Sequence, residues 1–279
     1  MTKPPPNPPT TDEVRAKHLR ITEPSPWIER FQHLVLKRAH VLDVAAGSGR
    51  HGRRFLKLGA KVTFIDRNTQ ALGDLADNPV ASVIEADLED GVQPFGGGGP
   101  LAAKTFDAVV VVNYLHRPLI NPLIDALRPD GILIYETFAR GNEEFARPRN
   151  PDHLLKSGEL LAAVLGKMQV VAYEHGRIEG TDIPGIKQRL CAIKDLENPT
   201  NELVLGQFCR LFTEAAQQTG NDNFGLHFGS DFEPRRLGAI GYAAISSPTL
   251  ATGLRNMETH FPAHQGQSSF GLIRDDDML

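Results

Sequence analysis

Along the chain, short apolar runs alternate with stretches in which apolar residues return every three or four positions. Runs at 41–44, 61–66, 80–90, 106–117 and 132–138 have the length of strands. The intervening segments read as helices: one carries Phe55, Leu56 and Leu58 on its inner face, another Ala71, Leu72 and Leu75, and two more cover 119–127 and 151–165. The unbroken Val109-Val110-Val111-Val112 suits a parallel strand covered on both faces. Strands and helices in alternation predict an α/β protein built on a doubly wound parallel sheet. Two further runs, 168–174 and 186–194, flank a loop containing Gly176, Gly180, Pro184 and Gly185, and predict a closing antiparallel hairpin that brings the sheet to seven strands. Helices are also expected at 11–20 and 24–31, and at 203–219 with Gly220 as its stop.

The chemistry concentrates where the first strand ends. Val41-Leu42-Asp43-Val44 runs into Ala45-Ala46-Gly47-Ser48-Gly49-Arg50-His51-Gly52, a glycine turn that opens a helix. Gly47 and Gly49 let the backbone pass close beneath a ligand, and the helix start presents free N–H groups. Asp66 ends the second strand beside this turn, placed to accept the hydroxyls of a ribose, with Arg67 next to it. Gly47-x-Gly49-x-x-Gly52 followed by an acid also satisfies a dinucleotide fingerprint, so an NAD(P)-dependent oxidoreductase is one reading. Asp43 separates the two: a pyrophosphate gains nothing from an acid here, whereas a cofactor carrying an ammonium and a sulfonium does.

This stretch resembles the first motif of class I S-adenosylmethionine-dependent methyltransferases, an acid, three residues, Gly, any residue, Gly. The resemblance implies that Asp43 shapes the amino-acid end of S-adenosylmethionine, that Ala45, Gly47 and Gly49 form the turn, and that Asp66 and Arg67 meet the ribose. Asp87, at the end of the third strand, would take the adenine amino group, or else belongs to a solvated acidic turn with Glu85, Glu89 and Asp90; Leu88 would lie at the ring, with Asn113 at the end of the fourth strand nearby. Arg50 has two readings: a partner for the methionine carboxylate, or a solvated residue of the first helical turn. The Pro129-Asp130-Gly131 turn into the fifth strand and the terminal hairpin extend the resemblance from about residue 22 to 195. Tyr135-Glu136-Thr137-Phe138 and the run Asn150-Pro151-Asp152-His153-Leu154-Leu155 look like small bacterial enzymes related to the tellurite-resistance methyltransferases.

For the methyl acceptor, Asn113, Tyr114 and His116 at the end of the fourth strand and Glu136 on the fifth are the catalytic candidates. His116 suits a general base if it titrates near neutrality, and otherwise a structural role. Glu136 is a second candidate, or an anchor for an arginine of the polar stretch 135–151, which reads as a substrate loop. Trp27, the single tryptophan, either pins its helix to the sheet or belongs to a lid. The Gly96-Gly97-Gly98-Gly99-Pro100 loop carries no recognisable chemistry.

Charge narrows the partners. A net charge of -4 gives no basic field for nucleic acid, so a small-molecule acceptor is expected. Two cysteines, Cys191 and Cys209, are too few for a disulfide framework or a zinc cluster. The proline-rich start, 1–10, has no apolar segment and reads as a disordered tail, which with the absence of a membrane-length apolar run points to the cytoplasm.

Beyond 195 the pattern changes. Residues 196–279 resemble part of the N-terminal effector domain of AraC-type regulators, carried by 224–229 and 237–250. Three units are therefore expected: 1–20, a tail with a helix; 21–195, the methyltransferase domain; and 196–279, a small, mainly helical segment. That last segment shows no second helix-turn-helix pattern and few basic residues. It reads as a sensor, a dimerising appendage or a truncated remnant. The chain is accordingly either an enzyme or a non-catalytic S-adenosylmethionine sensor, with a homodimer through the C-terminal segment as one outcome.

Overall fold

The computed structural model describes residues 19–195, Glu197 and the backbone of a strand at 224–227. The helix expected at 203–219 lies outside the described residues, as does nearly all of that at 11–20. The elements in order are α1 (Pro26–Phe31), β1 (His40–Val44), α2 (Arg50–Lys57), β2 (Lys61–Asp66), β3 (Ala81–Glu85), β4 (Phe106–Val112), α3 (Ile120–Asp125), β5 (Leu127–Phe138), α4 (Glu159–Val164), β6 (Gln169–Ile178), β7 (Gly185–Ile193) and β8 (Phe224–His227). They form one sheet in the order β3-β2-β1-β4-β5-β7-β6-β8. The first five strands are parallel, and β7 runs antiparallel between β5 and β6. All seven expected strands are there. An eighth, contributed by the segment expected to be mainly helical, pairs antiparallel with β6.

The β1 side chains alternate between two cores. Leu42 and Val44 join Ile65, Val109, Val111, Leu133 and Tyr135 on one face. Val41 lies on the other with Phe55, Phe64, Val110, Ile134 and Trp27. Two-sided burial is what a parallel sheet requires, and it explains the uninterrupted valines of β4.

The helices are shorter than their periodicity suggests, for local reasons. α2 stops at Lys57, with Gly59 at φ 88°, so Leu58 lies past the helix and is 37% exposed instead of facing the sheet. Residues Gln70–Leu75 form a 3-10 helix with Gly73 inside it. α3 gives way early because Leu127 already pairs with Phe106 at the start of β5. In 151–165, a 3-10 turn at Pro151–His153 precedes α4, and Gly158 at φ 69° breaks the path between them.

Trp27 is a packing residue. It is 1% exposed and donates its indole N–H to the Leu190 carbonyl of β7 at 3.1 Å. Phe31 meets its ring edge-on, and the Arg30 and Arg189 guanidinium groups lie over it. Ser25 caps α1 through its hydroxyl and also donates to Glu136. α1 is thus tied to β5 and β7. No helix among the described residues is long and apolar enough to cross a membrane.

Candidate functional site

The strand order reverses between β1 and β4, the point at which open α/β sheets take ligands at the carboxyl ends of their strands. The turn after β1 places Ala45, Gly47 and Gly49 at φ 51°, 59° and 71°, alternate residues in the left-handed region. This curl is closed by Ala46 N–H to the Ile65 carbonyl (3.1 Å) and Gly49 N–H to the Ala46 carbonyl (2.8 Å). Ala45 is the anomaly, because a left-handed residue with a Cβ costs about 1–2 kcal/mol. Ala45→Gly is expected to raise stability by about 0.5–1 kcal/mol after the entropy of the added glycine is subtracted; a urea midpoint that stays put or falls would contradict this.

The third glycine serves packing. A Cβ on Gly52 would collide with the Phe64 ring and lie 2.9 Å from Asp43 Oδ2, so α2 sits against the sheet only because that atom is absent. Gly52→Ala is expected to cost about 1–3 kcal/mol, as overpacking of a rigid ring does, again read by denaturation.

Asp43 and Asp66 converge on the turn from neighbouring strands. Asp43 is 1% exposed; its Oδ2 accepts the Gly52 N–H at 2.8 Å, while its Oδ1 is buried with no hydrogen bond. Burial raises its pKa to about 7, against the lowering effect of the Gly52 hydrogen bond and of Arg50. Asp66 accepts from Gly47 N–H (2.8 Å) and Asn68 N–H (2.9 Å), one bond to each oxygen, which leaves each oxygen a further lone pair. Arg67 beside it is exposed.

The remaining cofactor-side candidates are arranged around this pair. Asp87 is exposed and accepts the Glu89 N–H at 2.9 Å, an Asx turn just past β3, while Leu88 is buried. Asn113 follows β4 with φ 57°, donates its N–H to the Glu136 carbonyl at 2.8 Å, and keeps its side-chain oxygen buried without a partner. Two unpartnered acceptor oxygens, on Asp43 and Asn113, therefore belong to the ends of adjacent strands. Tyr114 is half-buried, and its carbonyl accepts the Tyr135 hydroxyl at 3.1 Å. His116 is half-buried just before a 3-10 turn.

A second cluster lies on β5 and β7. Glu136, Lys187 and Arg189 are 2%, 2% and 8% exposed. Glu136 Oε1 accepts from Lys187 Nζ at 2.6 Å, and Oε2 accepts from the Ser25 hydroxyl at 2.8 Å and pairs with Arg189 Nε at 3.1 Å. Burial works to raise the Glu136 pKa, but Lys187 and Arg189 outweigh it and hold the carboxyl below its ordinary value. Both oxygens being committed, Glu136 is not the free base expected of it; its partners are also strand cations, not loop arginines. Cross-strand pairing explains this, since Glu136 faces Arg189 and Phe138 faces Lys187 in the β5–β7 register.

Glu136 and Lys187 form the base of a cavity of about 390 Å³ whose wall includes Ser25, Arg50, Thr181 and Asp182. Arg50 sits between this cavity and the glycine turn and donates to the Glu23 carbonyl at 2.6 Å. Burial lowers the Arg50 pKa, opposed by Glu136 and Asp182. Asn113, Tyr114 and His116 are not among the residues lining this cavity, and of the stretch 135–151 Glu136 alone lines it. That stretch, expected to be a substrate loop, is tied down by buried Asn142, which donates to the Pro148 carbonyl (3.1 Å) and accepts the Ile186 N–H (3.1 Å). Lys187, Arg189 and Ser25 were missed in the sequence. A signal was present: Lys187 and Arg189 alternate on one face of a strand-length run that is apolar but for them and Gln188, a pattern that demands buried counter-ions.

Five parallel strands in the order 3-2-1-4-5 are shared with dinucleotide-binding domains, but β7 inserted antiparallel between β5 and β6 is what a plain dinucleotide-binding domain lacks. This is the Rossmann-like fold of the class I methyltransferases. In sequence, a ubiquinone biosynthesis O-methyltransferase from Paraburkholderia xenovorans (strain LB400) is 31% identical over 127 residues, covering 43% of this chain and 52% of that protein. The chain thus spans about half the length of the curated relative it matches. Among solved structures, TehB from Haemophilus influenzae is similar at TM-score 0.49 and 17% identity, over 66% of this chain and 66% of that one. The N-methyltransferase NodS from Bradyrhizobium japonicum WM9 in complex with S-adenosyl-L-homocysteine is similar at TM-score 0.46 and 14% identity, over 65% and 96% of the two chains. Residues 190–278 match the family of the arabinose-binding domain of AraC transcription regulators, N-terminal. That match begins within β7, so the resemblance to the regulators overlaps the last residues of the methyltransferase fold.

Proposed function

We propose that the chain is an S-adenosylmethionine-dependent methyltransferase acting on a small molecule. The observation that carries this reading is Asp43 Oδ1, a buried carboxylate oxygen with no hydrogen bond, next to the glycine turn at the switch point. A cationic amino group is the complement it lacks, and the Asn113 side-chain oxygen supplies a second acceptor. An oxidoreductase reading has no use for either.

In this reading Ala45, Gly47 and Gly49 let the backbone approach the cofactor, Asp66 with Arg67 takes the ribose, and Asp87 with Leu88 frames the adenine. Arg50 takes the methionine carboxylate. The cofactor, when bound, supplies a methyl group that is already electrophilic on its sulfonium. What is left to the chain is to hold a nucleophile in line and keep water out, so positioning supplies much of the rate. Tyr114 and His116 stand on the acceptor side of β4. Glu136 acts by positioning, through Lys187, Arg189 and Ser25. The methyltransferase unit is placed at 21–195, with 196–279 as an appended AraC-like segment and the cytoplasm as the compartment.

The test is transfer. The purified chain is incubated with methyl-tritiated S-adenosylmethionine and a fractionated extract of small metabolites. The expected result is label in a small-molecule fraction with equal formation of S-adenosylhomocysteine. Tight binding of S-adenosylmethionine with no transfer to any fraction would favour the sensor reading, in which the AraC-like segment reports cofactor occupancy or carries a homodimer contact.

A further inference from the structure

The segment ahead of α1 crosses both the glycine turn and the cavity. Residues 21–25 belong to no helix or strand, so individual contacts have to hold them. Leu19 lies against the turn, since a Cβ added to Gly47 would stand 3.8 Å from Leu19 Cδ2. The Glu23 carbonyl accepts from Arg50 Nη1 at 2.6 Å, and the Ser25 hydroxyl donates to Glu136 Oε2 at 2.8 Å. Held in this way, Glu23, Pro24, Ser25 and Pro26 form one wall of the cavity. Arg50 is the charged member of these ties and is only partly committed. Its Nη1 holds the Glu23 carbonyl, while Nε and Nη2 bond no residue among those described. Those two nitrogens form one edge of a planar guanidinium, which takes both oxygens of a carboxylate while Nη1 stays where it is.

We infer that Arg50 is a positioning residue that couples the cofactor to the cavity: a carboxylate bound on its free edge fixes the guanidinium, which in turn fixes the segment 19–26 as the cavity wall. The inference rests on the methyltransferase reading, in which Arg50 takes the methionine carboxylate, and adds what that contact does for the second ligand. Without the cofactor, the Arg50 side chain and the segment restrain only each other. With it, the segment is anchored at both ends, through Arg50 at the turn and through Ser25 at Glu136. The cavity wall is therefore set in the cofactor complex, before an acceptor enters.

The test is hydrogen–deuterium exchange of the full chain, read by mass spectrometry at the amides of 20–23 and of the turn 45–49. Three states are compared: ligand-free, saturated with S-adenosylhomocysteine, and saturated with S-adenosyl-3-thiopropylamine, the same molecule without its carboxylate. Both ligands are expected to slow exchange at the turn. Only S-adenosylhomocysteine is expected to slow it at 20–23, by at least about tenfold, the size of one charge-assisted hydrogen bond. Arg50→Lys keeps the charge and loses the fork, so with S-adenosylhomocysteine bound its turn is expected to be slowed while 20–23 exchange as in the free chain. Equal slowing at 20–23 by the two ligands, no slowing there by S-adenosylhomocysteine while the turn is slowed, or slowing in Arg50→Lys equal to that of the wild type would overturn the coupling while cofactor binding stands. Where the analogue or the variant does not bind, the remaining comparisons decide by the same criteria. Failure of the wild-type chain to bind S-adenosylhomocysteine at all would overturn the methyltransferase reading itself.

Discussion

Glu136→Ala is expected to destabilise the protein by about 3–5 kcal/mol, the cost of leaving a buried ionic cluster without its counter-charge. The substitution strands Lys187, 2% exposed, leaves Arg189, 8% exposed, with Glu174 as its remaining carboxylate, and removes the acceptor of the Ser25 hydroxyl that ties α1 to the sheet. Glu136→Gln keeps a hydrogen-bond acceptor for Ser25 and is expected to cost less. The double change Glu136→Met/Lys187→Met, which removes both members of the closest pair, is expected to recover much of the loss, because buried ion pairs contribute little beyond apolar packing once both charges are gone. Urea denaturation of the three variants provides the check, and a Glu136→Ala midpoint near that of the wild type would show that the cluster does not hold the fold. The pH dependence has a definite sign. A carboxyl whose folded pKa lies below its unfolded value contributes stability that is present above the unfolded pKa and is lost as pH falls through the folded one, so the Glu136 contribution disappears in acid, below about pH 4.

The second large effect belongs to Asp43 and runs the other way. Its pKa is raised to about 7 in the fold, so between about pH 4 and pH 7 the folded chain holds a proton that the unfolded chain has released. Stability of the ligand-free protein is therefore expected to fall as pH rises across that window, and Asp43→Asn should flatten the slope. Cofactor binding has the opposite trend, since a cationic amino group selects the ionised carboxylate. The affinity for S-adenosylhomocysteine is expected to rise about tenfold per pH unit up to near pH 7 and then level off, with a proton released on binding below that point. Asp43→Asn should bind about 10–100-fold more weakly at pH 8, the loss of a charge-assisted hydrogen bond, and should show no rise. Calorimetry in buffers of different ionisation enthalpy measures both the affinity and the proton count. A wild-type profile flat from pH 5 to 8 would contradict the account of Asp43.

How much of this was legible in the chain depended on distance along it. The cofactor-side features lie within contiguous stretches: Asp43 to Gly52 is a strand, a turn and a helix start, and Asp66 closes the next strand, so periodicity and spacing sufficed to bring them together. The left-handed Ala45 was not legible, since its composition gives no hint that a residue with a Cβ occupies a conformation better suited to glycine. The cavity was legible only in part. Glu136 was visible as an acid at a strand end, but its state depends on Arg189 and Lys187, which arrive through the β5–β7 register, and on Ser25, 111 residues away. Pairing between strands so far apart is set by the packing of the whole sheet. The polar stretch 135–151 misled for a related reason: its composition is that of a loop open to solvent, yet its first four residues complete β5, and Asn142 turns inward and bonds its own segment and β7.

The measurement that bears most directly on the central claim is calorimetric titration of the purified chain with S-adenosylmethionine and S-adenosylhomocysteine, with NAD as control and Asp66→Ala in parallel. The account predicts that both adenosyl ligands bind, that NAD does not, and that Asp66→Ala weakens both by about 10–100-fold through lost hydrogen bonds to an ionised carboxylate. Binding of NAD without either adenosyl ligand would contradict it and return the glycine turn to a dinucleotide.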